Sequence, residues 1–268
     1  QAADRHREEQ QSLSVSVNDP CCYGFSIVEI DQRALANREL EIRSCQARFR
    51  DGTLLSFEQG EEPDRISLEP AAKQVEALSA SLSNIQETTD DIRVYLGIPR
   101  YGPFTSNASA FAETEKCRSK IVRQEVADDT SGTNEQEVEF RQSNVRVLLS
   151  TDDLSGYELL PLAQIRGLAS RETAPEIDAS FFPPVLAVSA WAPLCHDIIR
   201  STYDMIGKKV EVLAEQATTR QVGFSSSEPG DLDRLFMLSK LLESQGSLKV
   251  LAFAPGIHPR EAHTELCR

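Results

Sequence analysis

The chain is 268 residues long and carries 28 basic against 42 acidic side chains, a net charge of −14, with 40% hydrophobic residues. That length suits two modest domains, each closing its own core, and the acidic balance opposes binding to nucleic acid or anionic lipid through a general electrostatic field. Protein partners fit this composition better.

Residues 1 to 12 read as the end of a polar helix, and Asn18-Asp19-Pro20 as a stop and turn. From Tyr23 the pattern is strand-like. Phe25, Ile27 and the stretch to Ile30 form one run. Leu40 and Ile42 begin a second, whose apolar phase then slips to Cys45, Ala47 and Phe49, as a β-bulge would produce. Asp51-Gly52 between RFR and TLLSF predicts a hairpin. An acidic, proline-containing loop covers 58–70, and 71–82 is compatible with a short helix or a loop.

Asp91 to Pro99 alternates, with Ile92, Val94, Leu96 and Ile98 on one face and Arg93, Tyr95 and Gly97 on the other, which predicts a strand buried on one side. Residues 100–120 form a long irregular excursion. Extended segments follow at 121–126, 137–140, 145–150 and 157–165, separated by the loop DDTSGTN and an acidic turn at 151–156. Short strands without long helices between them favour an antiparallel sandwich.

The run IDASFFPPVLAVSAWAPL, from Ile177 to Leu194, marks a change of structural type. Pro183 and Pro184 cannot donate ladder or helix hydrogen bonds, so this apolar stretch is expected to be an extended connector, too short and broken to span a membrane. After Trp191 the period becomes helical: Leu194, Ile198, Met205 and Val212 recur at helical spacing, with Ile199, Ile206 and Leu213 beside them. A helix over 192–219 would be about 42 Å long, with Gly207 weakening its middle. After the break at Ser225–Gly230, Asp231 is a plausible cap for a second helix striped by Leu232, Leu235, Phe236, Leu238, Leu241 and Leu242. Gly246 is expected to end or interrupt it before a third segment at 248–253, and Pro255–Pro259 turns into a last helix. Residues 191–268 hold 9 basic and 10 acidic side chains, so copies of this part approach without strong repulsion. The fold class expected is a mainly β N-terminal sandwich followed by an α-helical bundle, α+β overall, with an N-terminal segment at 1–20, a sandwich at 21–176, a connector at 177–191 and a bundle at 192–268.

The six cysteines, at 21, 22, 45, 117, 195 and 267, show no zinc-type spacing and no disulfide framework, which fits a reducing compartment. Asn107-Ala108-Ser109 matches a glycosylation acceptor only by its three-residue pattern. The pairs Asp90/Asp91, Asp128/Asp129 and Asp152/Asp153 sit at turns or strand ends and read as turn residues rather than acid/base catalysts. A calcium loop aligned on Gly132 would begin at Ala127, which offers no side-chain oxygen. Cys195 and His196 are consecutive on a helix and diverge by about 100°. Nucleotide-binding glycine motifs, HExxH and GxSxG are all missing, so neither catalytic residue, cofactor nor metal is expected. The polar opening shows no secretory leader, and the missing initial methionine and an end inside an apparent helix suggest a fragment.

QAADRHREEQ, YGFSIVEID, the RFRDGTLLSF hairpin, DIRVYLGIP, IDASFFPPVLAVSAWAPL and HPREAHTELCR, in that order, resemble the TssK (ImpJ/VasE) family of type VI secretion baseplate subunits. The resemblance covers essentially the whole chain and implies a β-sandwich shoulder and a helical neck that trimerises, without the family's C-terminal head. It implies a cytoplasmic, non-enzymatic adaptor at the inner face of the bacterial inner membrane. Its shoulder would bind the wedge proteins TssF and TssG, and TssL and TssM would be reached only through the head. On this reading Leu194, Ile198, Met205 and Val212, with Leu235, Leu238 and Leu242, form the oligomer seam, and Phe181, Phe182, Pro183, Pro184 and Trp191 form the domain joint. A phage-like receptor-binding or carbohydrate-binding sandwich on a helical stalk is the alternative, and one Trp and five Tyr supply few sugar platforms.

Overall fold

A computed structural model describes residues 22–81, 91–103, 106–109, 117–127, 130–168, 174–223 and 228–267. The polar opening helix, Cys21, Asp90 and the Asp128/Asp129 pair lie outside these. The chain divides into two compact units. One holds Val28–Pro184 with the chain's opening residues, and the other combines Phe25–Ile27 with Val185–Arg268.

The first unit is built of strands. β1 (Gly24–Ile30), β2 (Glu39–Arg48), β3 (Leu54–Glu58) and β4 (Arg65–Ser67) make one sheet, in which β1 and β3 flank β2 and β4 also pairs with β2. The predicted hairpin forms at Asp51-Gly52. Phe49 N–H donates to Thr53 O, Gly52 N–H donates to Phe49 O, and Gly52 adopts φ +88°, open to a residue without Cβ.

The phase slip in β2 is real, and it falls where the strand changes partner. Glu39–Glu41 pair with β4 and Ser44–Arg48 pair with β3, so the strand changes partner between Ile42 and Arg43. Ile42 donates to Asp64 O and Gln59 donates to Arg43 O across that handover. Leu40 and Ile42 are buried before it, and Cys45, Ala47 and Phe49 after it. Burial pushes the Cys45 thiol up to about 12, which keeps it protonated and inert. A helix, α1 (Glu69–Ser81), follows and buries Ala71 and Ala72.

β5 (Ile92–Pro99) is central in a second sheet with the order β11 (Glu176–Ile177), β10 (Tyr157–Arg166), β5, β9 (Arg146–Leu149). Its alternation holds: Ile92, Val94, Leu96 and Ile98 are buried. Gly97 on the opposite face is buried too, because Leu148 lies over it; a Cβ there would fall 2.5 Å from Leu148 Cδ1. A bulge does occur in this sheet, in β10, where Leu162 is inserted between the pairs Pro161–Tyr95 and Ala163–Val94. Beside β11, the buried Asp178 accepts the Ser180 hydroxyl and N–H and meets Arg166 at 2.7 Å; the Ser180 hydroxyl first, then that backbone N–H and the guanidinium, hold its carboxyl below the usual range.

The third sheet is β6 (Ala108–Ser109), β7 (Ser119–Val126) and β8 (Gln136–Ser143), in that order. β6 pairs parallel with only Ser119 and Lys120, whereas β7 and β8 pair antiparallel over their full lengths. Arg118, just before β7, ties several chain segments together. Its guanidinium donates to Asp51, to the Thr53 hydroxyl and to Pro99 O, while Arg118 O accepts from Asn144 N–H.

In the second unit Phe25 bridges Val185 in parallel and its carbonyl accepts from Leu186 N–H at 2.7 Å. The predicted long helix forms with a variation in its first turns: Pro193–Arg200 is wound as a π-helix and continues without a break as α2 (Ser201–Thr219). The second helix, α3 (Asp231–Phe253), runs straight through Gly246, so the expected third segment is its continuation. Gly230, at φ +85°, occupies the cap position; Asp231 is the first helical residue, buried and paired with Arg234 at 2.8 Å. His258 caps α4 (Pro259–Leu266), its Nδ1 accepting from Arg260 N–H.

The start of the long helix packs on the end of α3, so the two run antiparallel. Val188, Cys195, Ile199, Leu248, Leu251 and Ala252 form the centre of this core. Arg200 fastens the crossing: its Nε donates to Ala252 O at 3.2 Å and its guanidinium stacks 5.5 Å from the Phe253 ring, which Tyr203 meets edge-on. Burying a continuous strip of Leu248, Leu251 and Ala252 outweighs the local cost of Gly246, about 1 kcal/mol relative to Ala, and explains why α3 does not stop there.

Candidate interaction surfaces

The helical hairpin has an inner and an outer apolar row. On the first helix Cys195, Ile199, Val210 and Leu213 are buried, while Ile198, Met205 and Val212 are 40%, 67% and 47% exposed. Residues seven apart return to nearly the same side of a helix, so these three line one outward strip. Leu194, within the π-wound segment, half-buries against the inner cluster instead. On α3, Leu235 and Leu238 are half-buried and Leu242 is 50% exposed. Phe236, Val250 and Phe253 add further exposed apolar surface. Two helices cover only one side of each other, and here the uncovered sides carry these apolar side chains among polar ones such as Lys208, Lys209 and Glu211.

Of the connector residues, Pro183 and Trp191 are buried, Phe181 and Pro184 half-buried and Phe182 exposed. The boundary between the units falls directly after Pro184. Trp191 Nε1 is buried without a hydrogen-bond partner among the described residues.

Asp152 and Asp153 serve their turn, and Asp91 ties the start of β5 to β10. Asp152 accepts from Leu149 N–H at 2.7 Å, Asp153 from Ser155 N–H at 3.0 Å, and Asp91 from Gln164 Nε2 at 2.8 Å. Among the described residues no three His, Cys, Asp or Glu side chains come together as a metal site. Cys195 is buried, while His196 is exposed with its Nδ1 3.1 Å from Arg200 Nη1. A cavity of about 690 Å³ lies between the Glu62–Ile66 segment, the start of β7 and β9. Its charges are mixed, Lys120 pairing with Glu62 at 3.1 Å across it. Among the described residues no helix is long and apolar enough to cross a membrane.

Strands first and a helical hairpin after define an α+β protein whose largest apolar exposure among the described residues is on the helices. The whole chain, residues 1–268, matches the family model described as "Bacterial Type VI secretion, VC_A0110, EvfL, ImpJ, VasE". The chain belongs to this ImpJ/VasE family of type VI secretion. No curated protein matches it.

Solved TssK structures share its fold. A crystal structure of TssK has a TM-score of 0.75 at 14% identity, covering 97% of this chain and 55% of that one. TssK in a TssK-TssF-TssG baseplate subcomplex seen by cryo-electron microscopy has a TM-score of 0.73 at 19% identity, covering 99% of this chain and 79% of that one. TssK from the EAEC type VI secretion system, bound to a nanobody, has a TM-score of 0.69 at 17% identity, covering 100% of this chain and 84% of that one. The chain thus spans about half the length of the TssK crystal structure.

Sequence reading missed Arg118 and the π-wound turn. Arg118 lies in the irregular excursion, and its partners at 51, 53 and 99 are distant in the chain, so no local pattern announces it. The exposed strip at Ile198, Met205 and Val212, by contrast, is readable from spacing alone.

Proposed function

We propose that this protein is a non-enzymatic structural adaptor of the type VI secretion baseplate, which trimerises through its helical hairpin and holds the wedge proteins TssF and TssG with its strand unit. Membership of the whole chain in the family carries this reading. A TssK structure of the same fold comes from a TssK-TssF-TssG subcomplex, which supports the choice of partners. The exposed strip on the first helix supports self-association, since apolar side chains at this spacing form seams between helices. In the full assembly the adaptor works on the cytoplasmic face of the inner membrane, and a further head domain makes the link to TssL and TssM. The two units correspond to shoulder and neck, with the Phe181–Trp191 stretch as the joint.

Co-purification with TssF and TssG tests this. The full-length protein is expected to bring down both, and failure to retain either would remove the adaptor reading. Light scattering on the same preparation reports the oligomer: three copies, or a multiple of three, are expected, and a monomer at high concentration would refute the seam.

A further inference from the structure

The ribbon of β7 and β8 is the least supported sheet in the strand unit. Past Ser119 and Lys120, where β6 pairs, it is only two strands wide, and Gln136–Gln142 are all exposed. Two-stranded ribbons are marginal in water and gain most from additional strands. β8 is the last strand of its sheet; among the described residues no strand pairs with its outer edge. The backbone donors and acceptors of every other residue in this eight-residue strand face that outer edge and stand ready as a template.

Register sorts the ribbon into two faces. Val122 lies opposite Phe140, Gln124 opposite Val138 and Val126 opposite Gln136, giving a largely apolar face whose one charge, Lys120 opposite Gln142, is paired with Glu62. Phe140, Val138 and Val126 on it are exposed. The other face pairs Arg123 with Glu139, Glu125 with Glu137 and Ile121 with Arg141. Arg123 Nη2 approaches Glu139 at 3.0 Å and its Nε lies 3.9 Å from Glu137.

We propose that β8 is a self-pairing edge, at which two copies of this chain join antiparallel about a two-fold axis at Phe140 to make one four-stranded sheet. The order of residues in β8 selects the partner and the register. With Phe140 opposite the partner's Phe140, Glu139 falls opposite the partner's Arg141, and Arg141 opposite the partner's Glu139. The charged face then alternates Arg123, Glu139, the partner's Arg141, and the apolar face becomes a continuous row from Val122 across both phenylalanines to the partner's Val122. A slip by one residue would set the charged face of one copy against the apolar face of the other. Centring on Glu139 or Arg141 puts like charges directly opposite, and centring on Val138 opposes Glu137 to the partner's Glu139. The Phe140 register alone among these four leaves every charge opposite its complement or a neutral residue.

Cysteine trapping in the full-length protein tests the pairing. Directly opposed residues of antiparallel strands have Cα atoms about 4.5–5.5 Å apart, within disulfide reach. Phe140→Cys is expected to oxidise to a covalent dimer, with the bridge between the two introduced thiols identified by mass spectrometry. Val138→Cys, whose two copies would lie four residues apart along the sheet, is expected not to bridge. In the Phe140→Cys background, Arg141→Glu and Glu139→Lys should each lower the yield several-fold, and mixing the two proteins should restore it as a heterodimer. No bridge between the introduced thiols of Phe140→Cys, equal bridging by Val138→Cys, or no recovery on mixing would each overturn the proposal. Circular dichroism of every variant establishes that the fold is kept.

Discussion

Arg118 carries more of the strand unit than its position in an irregular stretch suggests. Its guanidinium satisfies Asp51, Thr53 and the Pro99 carbonyl, and only 19% of its side chain is exposed. Arg118→Ala is expected to cost about 2 kcal/mol, the range for hydrogen bonds to charged groups, measurable as a lower urea midpoint at unchanged slope. Burial pushes the Asp51 carboxyl up, but the Thr53 N–H, the Arg118 guanidinium and the Thr53 hydroxyl together bring it below its ordinary value. A depressed carboxylate stabilises the fold fully above its unfolded value near 4 and loses that contribution as pH falls through its lower folded value. Stability should therefore drop below about pH 4. Asp51→Asn should flatten part of that drop, which denaturation midpoints at successive pH values will read. The turn at Asp51-Gly52 is legible because two adjacent residues encode it; its anchor is not, because 67 residues separate Asp51 from Arg118.

At the scale of the element, local rules succeed where one segment decides its own conformation and fail where a neighbour decides it. β5 alternates as its residues require, and the Asp51-Gly52 hairpin closes as its dipeptide predicts. β2 shows the expected apolar slip, at a place where it also changes partner strand. Gly246 reads as a helix end, yet packing of Leu248 and Ala252 onto the first helix carries α3 through it. The π winding of Pro193–Arg200 leaves no sequence mark at all; the visible contact at that turn is made 52 residues away, by Arg200 on the Ala252 carbonyl. Gly246 is exposed, with nothing within 4 Å of where a Cβ would stand. Gly246→Ala should accordingly stabilise the hairpin by about 1 kcal/mol through helix propensity, seen as a raised thermal midpoint.

For the molecule as a whole, the proposed role of the exposed strip on the first helix in self-association is open to direct test. Ile198→Asp with Met205→Asp should abolish the three-fold assembly, leaving nothing larger than a β8-joined dimer by light scattering, with far-UV circular dichroism unchanged because both side chains are exposed. Loss of helicity in that variant would mean instead that the strip supports the hairpin itself. The surfaces for other proteins are not legible from the sequence, since they depend on which edges and faces the fold leaves uncovered.

The assignment of Phe25–Ile27 to the helical unit has a consequence for biosynthesis. The chain contributes three residues to that unit, leaves it for about 160 residues, and only then supplies the rest. On the ribosome the Phe25 carbonyl must wait for Leu186 to emerge, so the helical unit cannot finish before the strand unit has been translated. A gene fragment beginning at Val185 would encode every helix of the hairpin and still omit the segment against which its first residues are hydrogen-bonded.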